Sequence, residues 1–196
     1  MTSRTILLLY RAAPALPLLL ALQLPLDVLT GADGALAELH RRAPDVLGFA
    51  ALATLVAGYA VSPLITVTGA RWAAILRRDY GLWTCAFAGT DLLLAAGLEP
   101  AGWSAAVAGT AGLAAGTLAT LLLVPLGLTS NRFAMRWLGR DWKRLHRLVL
   151  PVFALVAIHL FLVGSEAVAV VFLVVVTLLR IARIRPVARR LAEVRR

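Results

Sequence analysis

Six apolar stretches dominate the chain, at residues 6–29, 46–68, 80–98, 103–129, 143–163 and 166–185. A helix needs about 20 mainly apolar residues to cross the hydrocarbon core of a bilayer, and each stretch meets or approaches that length. None alternates apolar and polar residues with the period of two that an outer-membrane barrel requires. The expected fold is therefore all-α: a polytopic membrane protein built as one six-helix transmembrane bundle over residues 1–196, with no internal repeat and no separate soluble domain. Composition agrees, since 61% of the residues are hydrophobic and the mean hydropathy is +0.86, values that a soluble domain of this length does not tolerate. The N-terminal stretch has a signal-like basic start, but it is too long and too rich in proline for the apolar region of a signal peptide and reads as the first span.

The connections set the expected orientation. Residues 69–79 (GARWAAILRRD), residues 130–143 (SNRFAMRWLGRDWK) and the tail from Arg180 to Arg196 are basic, whereas 99–102 and 164–166 carry only Glu99 and Glu166. With the N-terminus inside, all of the 20 Lys and Arg residues except Arg41 and Arg42 fall at or near the inner face. That bias places both termini in the cytoplasm. The net charge of +10 then reports topology and contact with the anionic lipid bilayer. Nucleic acid is excluded as a partner, because no nucleic-acid-binding motif accompanies the charge. Cys85 is the one cysteine, so there is no disulfide framework and no CxxC site.

The fourth stretch contains Gly112-Leu-Ala-Ala-Gly116. Small residues four apart allow close helix approach, although an Ala-rich chain also produces such spacings by composition alone. Trp72, Trp83, Trp137 and Trp142 fall near the inner interface and read as an aromatic belt in preference to a quinone or flavin pocket.

Ionisable groups at membrane depth cost about 2.5–3.5 kcal/mol on insertion scales, so each is a functional candidate. Three matter here: Asp91 in the third stretch, and His146 and His159 in the fifth. Asp91 and His159 are expected at a similar depth in the outer half, and His146 near the inner end. A neutral imidazole suits iron, and a helix bundle is a natural cage for a flat porphyrin. His146 and His159 are thirteen residues apart, about 20 Å at 1.5 Å per residue, a gap one haem does not easily bridge, so the geometry favours two levels. On an ideal helix their side chains point roughly 140° apart, an angle that a kink at Pro151 would change. The competing reading of each histidine is a hydrogen-bonded packing residue. His40, in ALAELHRRAP, is expected in an outer loop as a surface residue.

The stretches LGLTSNRFAMRWLGRDWKRLHRLVLPVFALVAIHL (126–160) and SPLITVTGARWAAILRRDYGLW (62–83) resemble the MsrQ-type haem-binding membrane subunits of the ferric-reductase-like transmembrane family. The first carries the family's TS, its LG…W..LH and a histidine thirteen residues further on; the second is similar to its TPL…RR.LGLW. The resemblance implies b-type haem in a multi-pass protein of the bacterial inner membrane, with His146 and His159 as axial iron ligands and FMN or a quinone as a further cofactor. It also implies electrons taken from quinol or a cytoplasmic flavin source and passed to a periplasmic molybdenum oxidoreductase that repairs oxidised methionine. The family's remaining ligand is a histidine ten residues after the glycine of its GLW block, and this chain has Asp91 there. Asp91 ligating iron, Cys85 substituting from deeper in the helix, and Asp91 pairing with His159 without haem all stay open. Two functions follow. One is an electron-transfer subunit of an oxidoreductase, with no catalytic residue of its own. The other is a ligand-depleted, non-redox structural or assembly subunit of a larger membrane complex.

Overall fold

The structure is a computed structural model that describes residues 35–98, 100–163 and 166–194, and the expected first span, 6–29, lies outside the described residues. Among the described residues there is no strand. Helix α1 runs Ala35–Thr68, α2 Ala74–Leu98, α3 Pro100–Gly109, α4 Ala111–Leu128, α5 Arg132–Leu138, α6 Arg140–Leu145, α7 Val149–Leu162 and α8 Glu166–Val194. Three segments are long and apolar enough to cross a membrane by length and composition: Val46–Thr68, Ala111–Leu128 and Arg140–Leu162. The stretches at 80–98 and 166–185 are helical as well, within α2 and α8.

Three boundaries differ from expectation. The helix expected from residue 46 begins at Ala35, so His40 sits in the first turns of α1 and not in a loop; Ala, Leu, Glu and Arg in ALAELHRR all favour helix. The stretch at 103–129 is not one helix. It breaks at Thr110, whose backbone is extended (φ −131°, ψ 119°), into the short α3 and the longer α4. The basic segment at 130–143 is not a loop but the two short helices α5 and α6. The Asn131 side chain caps α5 by accepting from the Ala134 N–H at 2.7 Å. Gly139, with φ +52°, separates α5 from α6 in a conformation that costs a side-chain-bearing residue energy.

Between α6 and α7 the chain tightens into a 3₁₀ turn, His146–Leu148. Pro151 explains it: proline lacks an N–H, and its ring clashes with the carbonyl four residues earlier, here Arg147 inside that turn. Because a 3₁₀ turn winds by three residues per turn and not 3.6, the angle between His146 and His159 departs from that of an ideal helix.

Helices α1 and α2 form a hairpin through Gly69 (φ +72°) and a 3₁₀ turn at Arg71–Ala73. They approach closely at Gly58, where a Cβ would stand 3.3 Å from the Tyr80 Cβ. Helix α4 packs on α7 and on α2, and α8 packs on α7 and α1. The main core joins α1, α4, α7 and α8 through Leu55, Leu123, Leu126, Val152, Phe153 and Phe172. A second cluster, Leu47, Ala50 and Phe87, joins α1 to α2. Outside these cores the surface is apolar: Leu93, Val67 and Val171 are more than 60% exposed, as suits a helix surface solvated by lipid tails.

Candidate functional site

The inner site is built on the turn that Pro151 tightens. His146 Nδ1 lies 3.1 Å from the Trp142 carbonyl oxygen, one helical turn before it. A carbonyl only accepts, so Nδ1 carries the hydrogen and Nε2 keeps its lone pair. The Trp142 ring stacks on the imidazole, centroids 4.0 Å apart and planes 29° apart, and its Nε1–H donates to the Thr129 carbonyl at 2.9 Å. Trp142 thereby fixes both the tautomer and the plane of His146. Ser130 Oγ lies 3.5 Å from His146 Nε2 while donating its hydrogen to the Leu126 carbonyl at 2.6 Å, so it does not occupy that lone pair with a strong bond.

His146 lines a cavity of about 1040 Å³ between α1, α2, α4 and the α5–α7 segment. Gly58, Gly81 and Gly127 line it, as do six cations among the described residues: Arg77, Arg78, Arg132, Lys143, Arg147 and Arg180. Among the described residues that line it, none is acidic. A cavity whose lining includes an imidazole nitrogen lone pair and several cations could take a flat molecule with anionic substituents. Cys85 lines this same cavity. Its thiol donates to the Leu123 carbonyl at 3.3 Å and rests against Gly127, where a Cβ would stand 3.0 Å from Sγ.

The outer site lies where α4 meets α7. His159 Nδ1 is 2.9 Å from the Gly112 carbonyl oxygen, so this imidazole also carries its hydrogen on Nδ1 and keeps a lone pair on Nε2. A Cβ on Gly116 would stand 2.7 Å from His159 Nδ1, and one on Gly112 would stand 3.0 Å from Val163 Cγ2. The Gly112–Gly116 spacing is thus a true close-packing motif, and it cradles a histidine as well as a helix. Asp91 on α2 is half-buried and close enough to His159 to interact with it electrostatically, though among the described residues no hydrogen bond joins the two. Beside Gly116, the buried Thr117 hydroxyl has no hydrogen-bond partner among the described residues.

The structure sets His159 at the α4–α7 contact with Asp91 near enough for its charge to be felt but not hydrogen-bonded to it, and His146 apart in the inner cavity. It also divides the tryptophans. Trp72 and Trp137 are 54% and 79% exposed, as belt residues are, but Trp83 stacks on Phe87 and Trp142 belongs to the inner site. The signal for Trp142 was its place four residues before His146, where a helix puts its carbonyl next to the imidazole.

An apolar helical assembly with helices long and apolar enough to cross a bilayer defines a class, the multi-helix membrane proteins, here with imidazoles at two separate places on one helical run. Comparison makes it particular. The family described as "Ferric reductase like transmembrane component" matches residues 47–157, more than half of the chain. The chain belongs to the ferric-reductase-like transmembrane family. It is 36% identical over 141 residues to the protein-methionine-sulfoxide reductase heme-binding subunit MsrQ of Xanthomonas campestris pv. campestris, covering 69% of this chain and 62% of that protein. The chain therefore spans a little under two thirds of the length of that relative. No solved structure matches.

Proposed function

We propose that this chain is a haem-carrying electron-transfer subunit of the bacterial inner membrane, a single six-helix bundle with both termini in the cytoplasm and with His146 and His159 as axial iron ligands at two depths. One observation carries the reading: each imidazole donates Nδ1–H to a backbone carbonyl, Trp142 or Gly112, and so reserves Nε2 for a metal. When bound, b-type haem supplies one-electron transfer. The protein residues do the rest. Gly116 gives His159 room, Trp142 holds His146 in plane, and the cavity cations receive the anionic groups of a haem, the phosphate of FMN, or a quinol arriving from the inner leaflet. Electrons travel from quinol or flavin at the inner level to a periplasmic molybdenum oxidoreductase at the outer one. The relative's description as a heme-binding subunit of a protein-methionine-sulfoxide reductase supports haem and an oxidoreductase partner.

The test is the absorption spectrum of the purified protein, oxidised and dithionite-reduced. A Soret band and a reduced α-band are expected, and His146→Ala and His159→Ala should each remove part of them. A protein with neither band refutes the reading. Asp91, standing where the resemblance implies a histidine, favours a second one: a non-redox assembly subunit of a larger membrane complex. In that case the protein co-purifies with its complex but shows no haem bands.

A further inference from the structure

We infer that the basic pocket on α6 holds the phosphate of an anionic phospholipid, one of whose acyl chains lies along the exposed stripe of α7. Arg140, Lys143, Arg144 and Arg147 follow a spacing that sets them on one face of a helical run. Gly139, at φ +52°, turns the chain out of α5 just before them, and the 3₁₀ turn His146–Leu148 carries the last of them. With Gly139 and Asp141 these residues line a pocket of about 850 Å³. Asp141 is the one acidic residue among its described lining residues, and it pairs with Arg144 at 3.1 Å. Four cations against one carboxylate leave the pocket strongly positive, and the planar fork of an arginine matches two oxygens of a phosphate.

A phosphate could belong to a lipid or be free in solution, and the surface beside the pocket favours the lipid. The pocket occupies the basic end of Arg140–Leu162, a segment long and apolar enough to cross a membrane. Beyond Arg147, the side chains of Leu150, Ala154, Ile158 and Phe161 are exposed among the described residues. Their spacing of four, four and three places them in one stripe along α7. From Leu150 to Phe161 the stripe rises about 16 Å at 1.5 Å per residue, close to half of the roughly 30 Å hydrocarbon core and so to the reach of one leaflet's acyl chains. Phe133 and Trp137, four apart on α5 and both exposed, add aromatic rings of the kind that sit at headgroup level. A charged pocket that continues into an apolar stripe has the two-part chemistry of a phospholipid, whereas a free phosphate would use only the first part. Lys143 and Arg147 also line the inner cavity, but Arg140 and Arg144 line only this pocket, so the site can be altered without touching that cavity.

The experiment titrates the full chain, purified in a nonionic detergent, with phosphatidylglycerol or phosphatidylcholine and counts bound lipid by native mass spectrometry. The detergent removes the charged membrane surface that would otherwise attract every basic residue. Phosphatidylglycerol is expected to bind in preference to phosphatidylcholine, with or without haem. Arg140→Gln with Arg144→Gln should weaken it by at least about tenfold, the loss of one charge-assisted hydrogen bond. Arg71→Gln with Arg136→Gln removes the same charge outside both cavities and should leave it unchanged. Helical circular dichroism checks that both double variants are folded. Equal binding of the two lipids, or an equal loss in the two double variants, overturns the site. Inorganic phosphate that displaces phosphatidylglycerol at equal concentration overturns the lipid as its occupant.

Discussion

The His159 imidazole lies directly against Gly116: a Cβ on that glycine would stand 2.7 Å from Nδ1, 2.9 Å from Cε1 and 3.1 Å from Cγ. One turn earlier in the same helix, the Gly112 carbonyl accepts the Nδ1 hydrogen at 2.9 Å. The two glycines do different jobs for one side chain. Gly112 sets the tautomer, and Gly116 leaves the space in which the ring lies.

Gly116→Ala is therefore expected to displace His159 and to remove the outer part of the haem spectrum, while the helical circular dichroism is retained. Overpacking of a filled interior costs about 1–3 kcal/mol, enough to move a ring without unfolding a bundle. Gly89→Ala is the control, because a Cβ there meets nothing within 4 Å. Equal spectra for the two variants would contradict the cradle.

Trp142 holds His146 by a stacked ring and by its carbonyl, and is itself anchored to Thr129 through Nε1. Trp142→Phe keeps the stack and the carbonyl and loses one hydrogen bond, a change of about 0.5–1.5 kcal/mol. Trp142→Leu loses the stack as well. The inner part of the haem spectrum should survive the first substitution and broaden or shift in the second, with the outer part unchanged in both. A midpoint-potential titration resolves the two levels and checks that only one moves.

The difference between what could be read from the chain and what could not is physical. Apolar runs declare membrane helices because the bilayer imposes length and composition together, and α1, α2, α4, α7 and α8 coincide with such runs. The break at Thr110 is silent in an apolar sequence, since neither Gly109 nor Thr110 interrupts the hydropathy. His146, His159 and Asp91 stood out because ionisable groups are rare at that depth. Their partners did not, because the Gly112 carbonyl and the Gly116 cradle come from a helix more than forty residues away in the chain, and backbone groups leave no mark in a sequence. Trp142 resembled its three neighbours in type and position and differed from them only in tertiary contact.

Orientation is tested independently of haem. Every Lys and Arg but Arg41 and Arg42 falls on the side expected to be cytoplasmic. A reporter fused after Arg196 should fluoresce if it is a green fluorescent protein and stay inactive if it is alkaline phosphatase, which needs the oxidising periplasm. The reverse pattern would overturn the cytoplasmic assignment of the C-terminus and exchange the inner and outer labels of the two histidine levels.

The contact between Cys85 and Gly127 yields the last prediction. A Cβ on Gly127 would stand 3.0 Å from Cys85 Sγ and 3.3 Å from its Cβ, so Gly127→Ala drives α4 away from α2 at the wall of the inner cavity. Cys85→Ala alone removes a partly buried sulfur and its bond to the Leu123 carbonyl, at a modest cost in packing. Together the two substitutions exchange one volume for another across the same contact, so the double variant should be more stable than the sum of the single losses predicts. Contacting residues show such coupling at about 0.5–3 kcal/mol. Thermal unfolding in detergent of the four proteins of this cycle measures it. Strict additivity would mean that the helices already separate here, and that the inner cavity is wider than the Cys85–Gly127 contact allows.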